Sequence, residues 1–95
     1  MTNPKHIEWT PAAIRDLNRI REYIGGDNPA AARKVATQIF DHASSLATFP
    51  ERTRTGRVNH TREAVIPNLP YIIVYRVKQS RLEVLRILHG AQQWP

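Results

Sequence analysis

The sequence predicts an α+β domain in which a helical hairpin covers one face of a twisted antiparallel sheet, in the order β-α-α-β-β-β. Three observations lead there. Residues 71–77, Tyr-Ile-Ile-Val-Tyr-Arg-Val, are β-branched and aromatic, which suits a pleated, half-buried surface. The polar stretch Lys78-Gln-Ser-Arg81 then has the length of a hairpin connection, and Leu82-Glu-Val-Leu-Arg-Ile-Leu88 resumes the apolar pattern beyond it. Upstream, apolar residues recur at spacings of three and four through two segments that each open on a capping residue followed by proline.

Taken in order, Lys5 to Trp9 alternates, with Ile7 and Trp9 on one side, and reads as a first strand. Thr10 can accept from free amide groups at a helix start, and Pro11 has no N–H to leave unsatisfied at the first helical position. Ala13, Leu17, Ile20 and Ile24 form the apolar stripe of that helix, with Arg15, Asp16, Arg19, Arg21 and Glu22 around it. Gly25-Gly26 is expected to end it through the left-handed conformation that glycine tolerates. A second helix should run from Pro29 to Thr48, carrying Ala32, Val35, Ile39, Ala43 and Leu46 inward, with Pro50 marking its end. Its alanine-rich start permits close approach to the first helix. Glu51 to Thr61 lacks apolar periodicity and reads as a basic loop. Arg62 to Ile66 reads as a polar strand near an edge, and Tyr71 to Val77 as the central strand, leaving one sheet face for a partner.

Length and composition bound the function. The 95 residues fit one domain, residues 1–95, which buries roughly 60 to 65 per cent of its unfolded surface. The absence of cysteine excludes disulfides, thiolate metal sites and thiol nucleophiles. No apolar run approaches the roughly 20 residues that span a bilayer, and the opening Met1 to His6 lacks the apolar stretch of a secretory signal, so a cytoplasmic protein is expected. A formal net charge of +6 suits a polyanionic partner, nucleic acid or acidic protein. His6, His42 and His60 have no metal-ligand spacing, and no phosphate-cradling glycine loop is present, so neither metal nor cofactor is expected.

The candidate chemistry is basic. Arg52, Arg54, Arg57 and Arg62 fall in one short segment with His60, while Arg76 and Arg86 lie on the adjoining strands; such a cluster could hold an RNA backbone or remain a solvated basic loop. Arg86 interrupts an apolar strand and, by simple alternation, shares a face with Leu82 and Val84; it needs water, an anion or a carboxylate there. His89 ends the last strand and could act as general acid or base, or serve only as a hydrogen-bonding residue. A regular strand would put His89 and Arg86 on opposite faces, so a shared site requires a bulge or strand end near Leu88. Glu63 and Glu83 are explained as well by cross-strand ion pairs as by base catalysis. Trp94 could dock on the domain or stack on a base.

With these residues in view, the chain resembles the RelE/ParE superfamily of bacterial toxins from type II toxin-antitoxin pairs. The resemblance runs from Ile7-Glu-Trp9 to Trp94-Pro95 and is carried by the element order, Asp27-Asn-Pro-Ala-Ala-Ala-Arg33, Arg62-Glu63 with Pro70 to Val77, and Leu85-Arg-Ile-Leu-His89. It implies a cognate antitoxin with an acidic or amphipathic segment that holds the toxin inactive in a hetero-oligomer. RelE-like members cut mRNA on the ribosome, whereas ParE-like members poison DNA gyrase. The loop here lacks the lysines of RelE and the tail has no tyrosine after His89, while the Tyr71 to Val77 strand and the Ile87-Leu-His89 ending look like the ParE branch. The ParE-like reading makes Arg52, Arg54, Arg57, Arg62, Arg76, Arg86 and Trp94 target-binding residues. The RelE-like alternative assigns Arg62 and Arg86 to phosphate contact and His89 to proton transfer. A non-catalytic nucleic-acid-binding module is a third reading, carried by charge alone.

Overall fold

The computed structural model describes residues 4–90 and 92–95; the opening Met1, Thr2 and Asn3 of the leader argument and Ala91 of the tail lie outside them. β1 (His6–Trp9) leads into α1 (Pro11–Gly25) and α2 (Pro29–Leu46), followed by β2 (Arg54–Thr55), β3 (Arg62–Val65), β4 (Tyr71–Val77) and β5 (Arg81–His89). The sheet order is β1-β5-β4-β3-β2. The α+β helical hairpin on a sheet is therefore as expected, with two refinements. β1 pairs in parallel with β5, His6 opposite Arg81 and Trp9 opposite Val84, so the five-stranded sheet is mixed. The predicted loop also contains the two-residue β2, an antiparallel edge on β3.

Both helix starts follow their local chemistry. The Thr10 and Asn28 side chains accept from Ala13 N and Ala31 N, with Pro11 and Pro29 in the first turn. The end of α1 departs from expectation: Gly26 stays right-handed (φ −57°), and its N–H donates to Glu22 O at 3.1 Å. α2 stops at Leu46 because the amides of Ala47 and Thr48 turn back onto Ser44 O and Ser45 O.

Ala13, Ile39, Ala43 and Leu46 of the hairpin pack against Ala64, Ile66, Tyr71, Ile73, Tyr75, Leu82, Val84 and Ile87 of the sheet. Fully burying a side chain such as Ile39, Ile73 or Leu82 contributes about 1.5–3 kcal/mol. The opposite face is not left bare, contrary to expectation. Ile72, Val74 and Leu88 are buried as well, and the β2–β3 loop reaches the tail through Arg57 Nη1 donating to Gln92 O at 3.2 Å.

The register of β4 on β5 shifts at one point: Val74 faces Arg86, but Tyr75 faces Val84, so Leu85 is extra. This bulge moves the alternation by one residue. Ile87, rather than Arg86, continues the core face of Leu82 and Val84. The same point is where β1 ends, and α1 takes its place. Asp16 is buried and accepts from Arg86 Nε at 2.6 Å, Arg86 Nη2 at 3.0 Å and Ile87 N at 2.9 Å.

Asp16→Ala should cost about 2–4 kcal/mol in denaturant unfolding, because it orphans the Ile87 amide and strips the partner from a half-buried guanidinium. Gly56→Ala should also lower the melting temperature, by several degrees for a loss of about 1–2 kcal/mol. A Cβ there would overlap Thr61 Oγ1 and meet the Thr61 carbonyl at 3.0 Å, where Gly56 N donates to Thr61 O at 2.8 Å.

Candidate functional site

Cross-strand register decides which predicted site residues can meet. Arg62 lies opposite Tyr75, whereas Arg86 lies opposite Val74, so the two arginines project from opposite faces of the sheet. His89 lies opposite Tyr71, and the pairing runs regularly from there back to Arg86 opposite Val74, three steps along the strand. The bulge falls before Arg86 rather than between it and His89, so it does not bring this pair together. Arg62, Arg86 and His89 form no common site in the described residues.

Each arginine has its own partner. Arg62 Nη2 donates to Glu51 O at 2.9 Å and Thr53 O at 2.6 Å, and Tyr75 donates its hydroxyl to Pro50 O at 2.6 Å; together they pin residues 50–53 to the sheet. Arg54 and Arg57 both engage Glu63, at 3.1 Å each. Arg76 meets Glu83 at 2.8 Å across the β4–β5 pair. Arg52 lies 4.1 Å from the ring centre of Phe49, and Arg86 stands 5.6 Å from that of Trp94. The loop and strand arginines thus all have contacts within the chain, and Trp94 docks on the domain.

Titration follows from these contacts. Burial pushes the Glu63 carboxyl upward, but the Arg57 backbone N–H and the Arg57 and Arg54 guanidinium groups outweigh it and leave the group below its ordinary value. The Asp16 hydrogen bonds raise Arg86 above its usual range against its burial, so it is permanently charged. Burial, with a smaller contribution from Tyr23, raises Tyr71, which stays protonated at neutral pH.

A second feature was not anticipated. α1 and the ends of β4 and β5 enclose an open cleft of about 450 Å³ lined by Asp16, Arg19, Ile20, Tyr23, Pro70, Tyr71, Ile87, His89 and Gln92. His89 meets Tyr71 edge-on, with ring centres 6.1 Å apart, and the backbone N–H of His89 donates to Gln92 Oε1 at 3.2 Å. Tyr23 is 84 per cent exposed on the rim. Sequence reasoning named Arg19 only as polar surface and gave Tyr23 no role. The signal was present: Arg15, Arg19 and Tyr23 recur at four-residue steps along one side of α1. No group of three or more potential ligands that could hold a metal ion occurs among the described residues.

A helical hairpin on a small mixed sheet defines a two-layer α+β class of domain, and the comparisons give the family. The family described as ParE toxin of type II toxin-antitoxin system, parDE, matches residues 7–94. The chain belongs to this family. It is 43% identical over 91 residues to the protein Y4kP of Sinorhizobium fredii, covering 96% of this chain and 94% of that one. It is 38% identical over 86 residues to toxin RelE2 of Caulobacter vibrioides, covering 90% and 96%. The fold is shared with the chromosomal ParDE system from P. aeruginosa (TM-score 0.80, 22% identity, 90% and 96% covered). It is shared also with the RelBE2 toxin-antitoxin complex from Mycobacterium tuberculosis (TM-score 0.71, 21% identity, 97% and 98% covered).

Acid should destabilise the protein through Glu63 and Glu83, both held below the ordinary value of 4.5. A carboxylate depressed in the folded state contributes stability above its unfolded pKa, and that contribution is lost as pH falls through the folded value. Unfolding followed from pH 7 downward should therefore show a decline beginning near 4.5. Glu63→Gln should cost about 1–3 kcal/mol at pH 7 and flatten that acid limb.

Proposed function

We propose that this chain is the toxin of a toxin-antitoxin pair that arrests bacterial growth in the cytoplasm by inhibiting DNA gyrase, and that a cognate antitoxin neutralises it by binding. One observation carries the choice of mechanism: the three groups required for RNA cleavage are separated. Arg62 and Arg86 emerge from opposite faces, and Arg86 is bound by Asp16 rather than left open to a phosphate. Acid-base cleavage needs its groups aligned on one substrate bond, whereas inhibition by docking needs only a complementary surface.

The nuclease reading retains support in the name of the Caulobacter relative, toxin RelE2, and in the exposed position of His89 at the mouth of a cleft. The two readings separate in paired assays on the purified chain. Gyrase supercoiling should be inhibited while message on translating ribosomes stays intact, and His89→Ala should still arrest growth. Ribosome-bound message cut by the wild type and spared by His89→Ala would reverse the assignment.

A further inference from the structure

We propose that the cleft between α1 and the ends of β4 and β5 is the seat of an apolar side chain on an acidic segment of the antitoxin, with Arg19 receiving a neighbouring carboxylate. This deepens the toxin-antitoxin reading and rests on it. The walls are mainly apolar, Ile20, Tyr23, Tyr71, Pro70 and Ile87, and the volume of about 450 Å³ accommodates a large aliphatic or aromatic side chain. Tyr23, at 84 per cent exposure, is the most exposed large apolar residue described, and it stands at the mouth. An exposed aromatic beside a formed apolar hollow is the arrangement that supplies binding energy when water is excluded.

Charge selects the occupant. Arg19 borders the cleft, and Arg15 lies one turn earlier on the same side of α1; neither has an ion-pair partner among the described residues. A nucleic acid would need a row of available cations. The other cation close to the cleft, Arg86, is bound to Asp16 and so is not available to a phosphate backbone. One free cation at the rim of an apolar hollow fits a peptide bearing a hydrophobic anchor and a carboxylate. A chain that folds on binding can supply both within one helical turn.

The test uses the antitoxin that copurifies with the tagged full chain, identified and then titrated against purified variants. Tyr23→Ala and Arg19→Glu should each weaken its binding by about tenfold or more, as expected for an aromatic anchor and a charge reversal at an interface. Arg19→Lys should retain most of the affinity, and Gln79→Glu, at the opposite end of the β4–β5 pair, should leave it unchanged. Both cleft side chains are exposed, so unchanged melting curves certify folding. Wild-type antitoxin affinity in both Tyr23→Ala and Arg19→Glu would overturn the cleft assignment while leaving the toxin-antitoxin reading intact. Failure of the wild-type chain to bind any antitoxin would remove both. A single-stranded oligouridylate probe that binds the wild type and is lost in Arg19→Glu, with antitoxin affinity unaltered, would assign the cleft to nucleic acid and overturn the proposal.

Discussion

One buried carboxylate organises the molecule. Asp16 reaches from α1 to the edge of β5 where β1 has run out, and takes up both the guanidinium of Arg86 and the amide of Ile87. Without it, a strand N–H would face apolar surroundings and a partly buried cation would lack its counterion, each a larger penalty than the net worth of the hydrogen bond lost. The contact also stands beside the bulge at Leu85, after which Ile87 and His89 turn toward the helical side. The same carboxylate therefore anchors the hairpin, lines the cleft and withdraws Arg86 from external anions.

Charge is distributed accordingly. Glu63 holds Arg54 and Arg57, Glu83 holds Arg76, and Glu8 lies 3.8 Å from Arg81, so carboxylates offset part of the charge of the strands and their loop. On the hairpin, the exposed Arg15, Arg19, Arg21, Arg33 and Lys34 are interspersed with the exposed carboxylates of Glu22, Asp27 and Asp41. The excess of cations therefore belongs to the strands and their loop, while the hairpin contributes Arg19 at the rim of the cleft.

Much of the fold was legible because the signals were local. Thr10-Pro11 and Asn28-Pro29 mark both helix starts through caps that need only neighbouring atoms, and Tyr71 to Val77 is bounded in the structure where its composition says it should be. Apart from the right-handed end of α1 at Gly26, the errors are nonlocal. The parallel pairing of β1 depends on a strand some 75 residues away, as the register His6 to Arg81 shows, and alternation within one segment carries no record of its neighbour's direction. β2 lies where Glu63 gathers Arg54 and Arg57 across the strand pair, and two residues have no period to detect. The bulge at Leu85 reverses the facing of Arg86 for the same reason: it is a property of a strand pair. The site was least legible, because the RelE-like alternative groups Arg62, Arg86 and His89 while register across the sheet puts Arg62 and Arg86 on opposite faces.

The adjacency of β1 and β5 carries a consequence for biosynthesis. A ribosome that has delivered both helices and the first hairpin strand has still made a species in which Ile7 and Trp9 lack their sheet neighbour and Asp16 lacks its cation. Closing so long a loop is entropically deferred until the far partner exists. Prematurely terminated fragments ending before Arg81 are consequently incapable of assembling this architecture. In a chain of this toxin family, completion of the fold therefore waits on translation of the final strand.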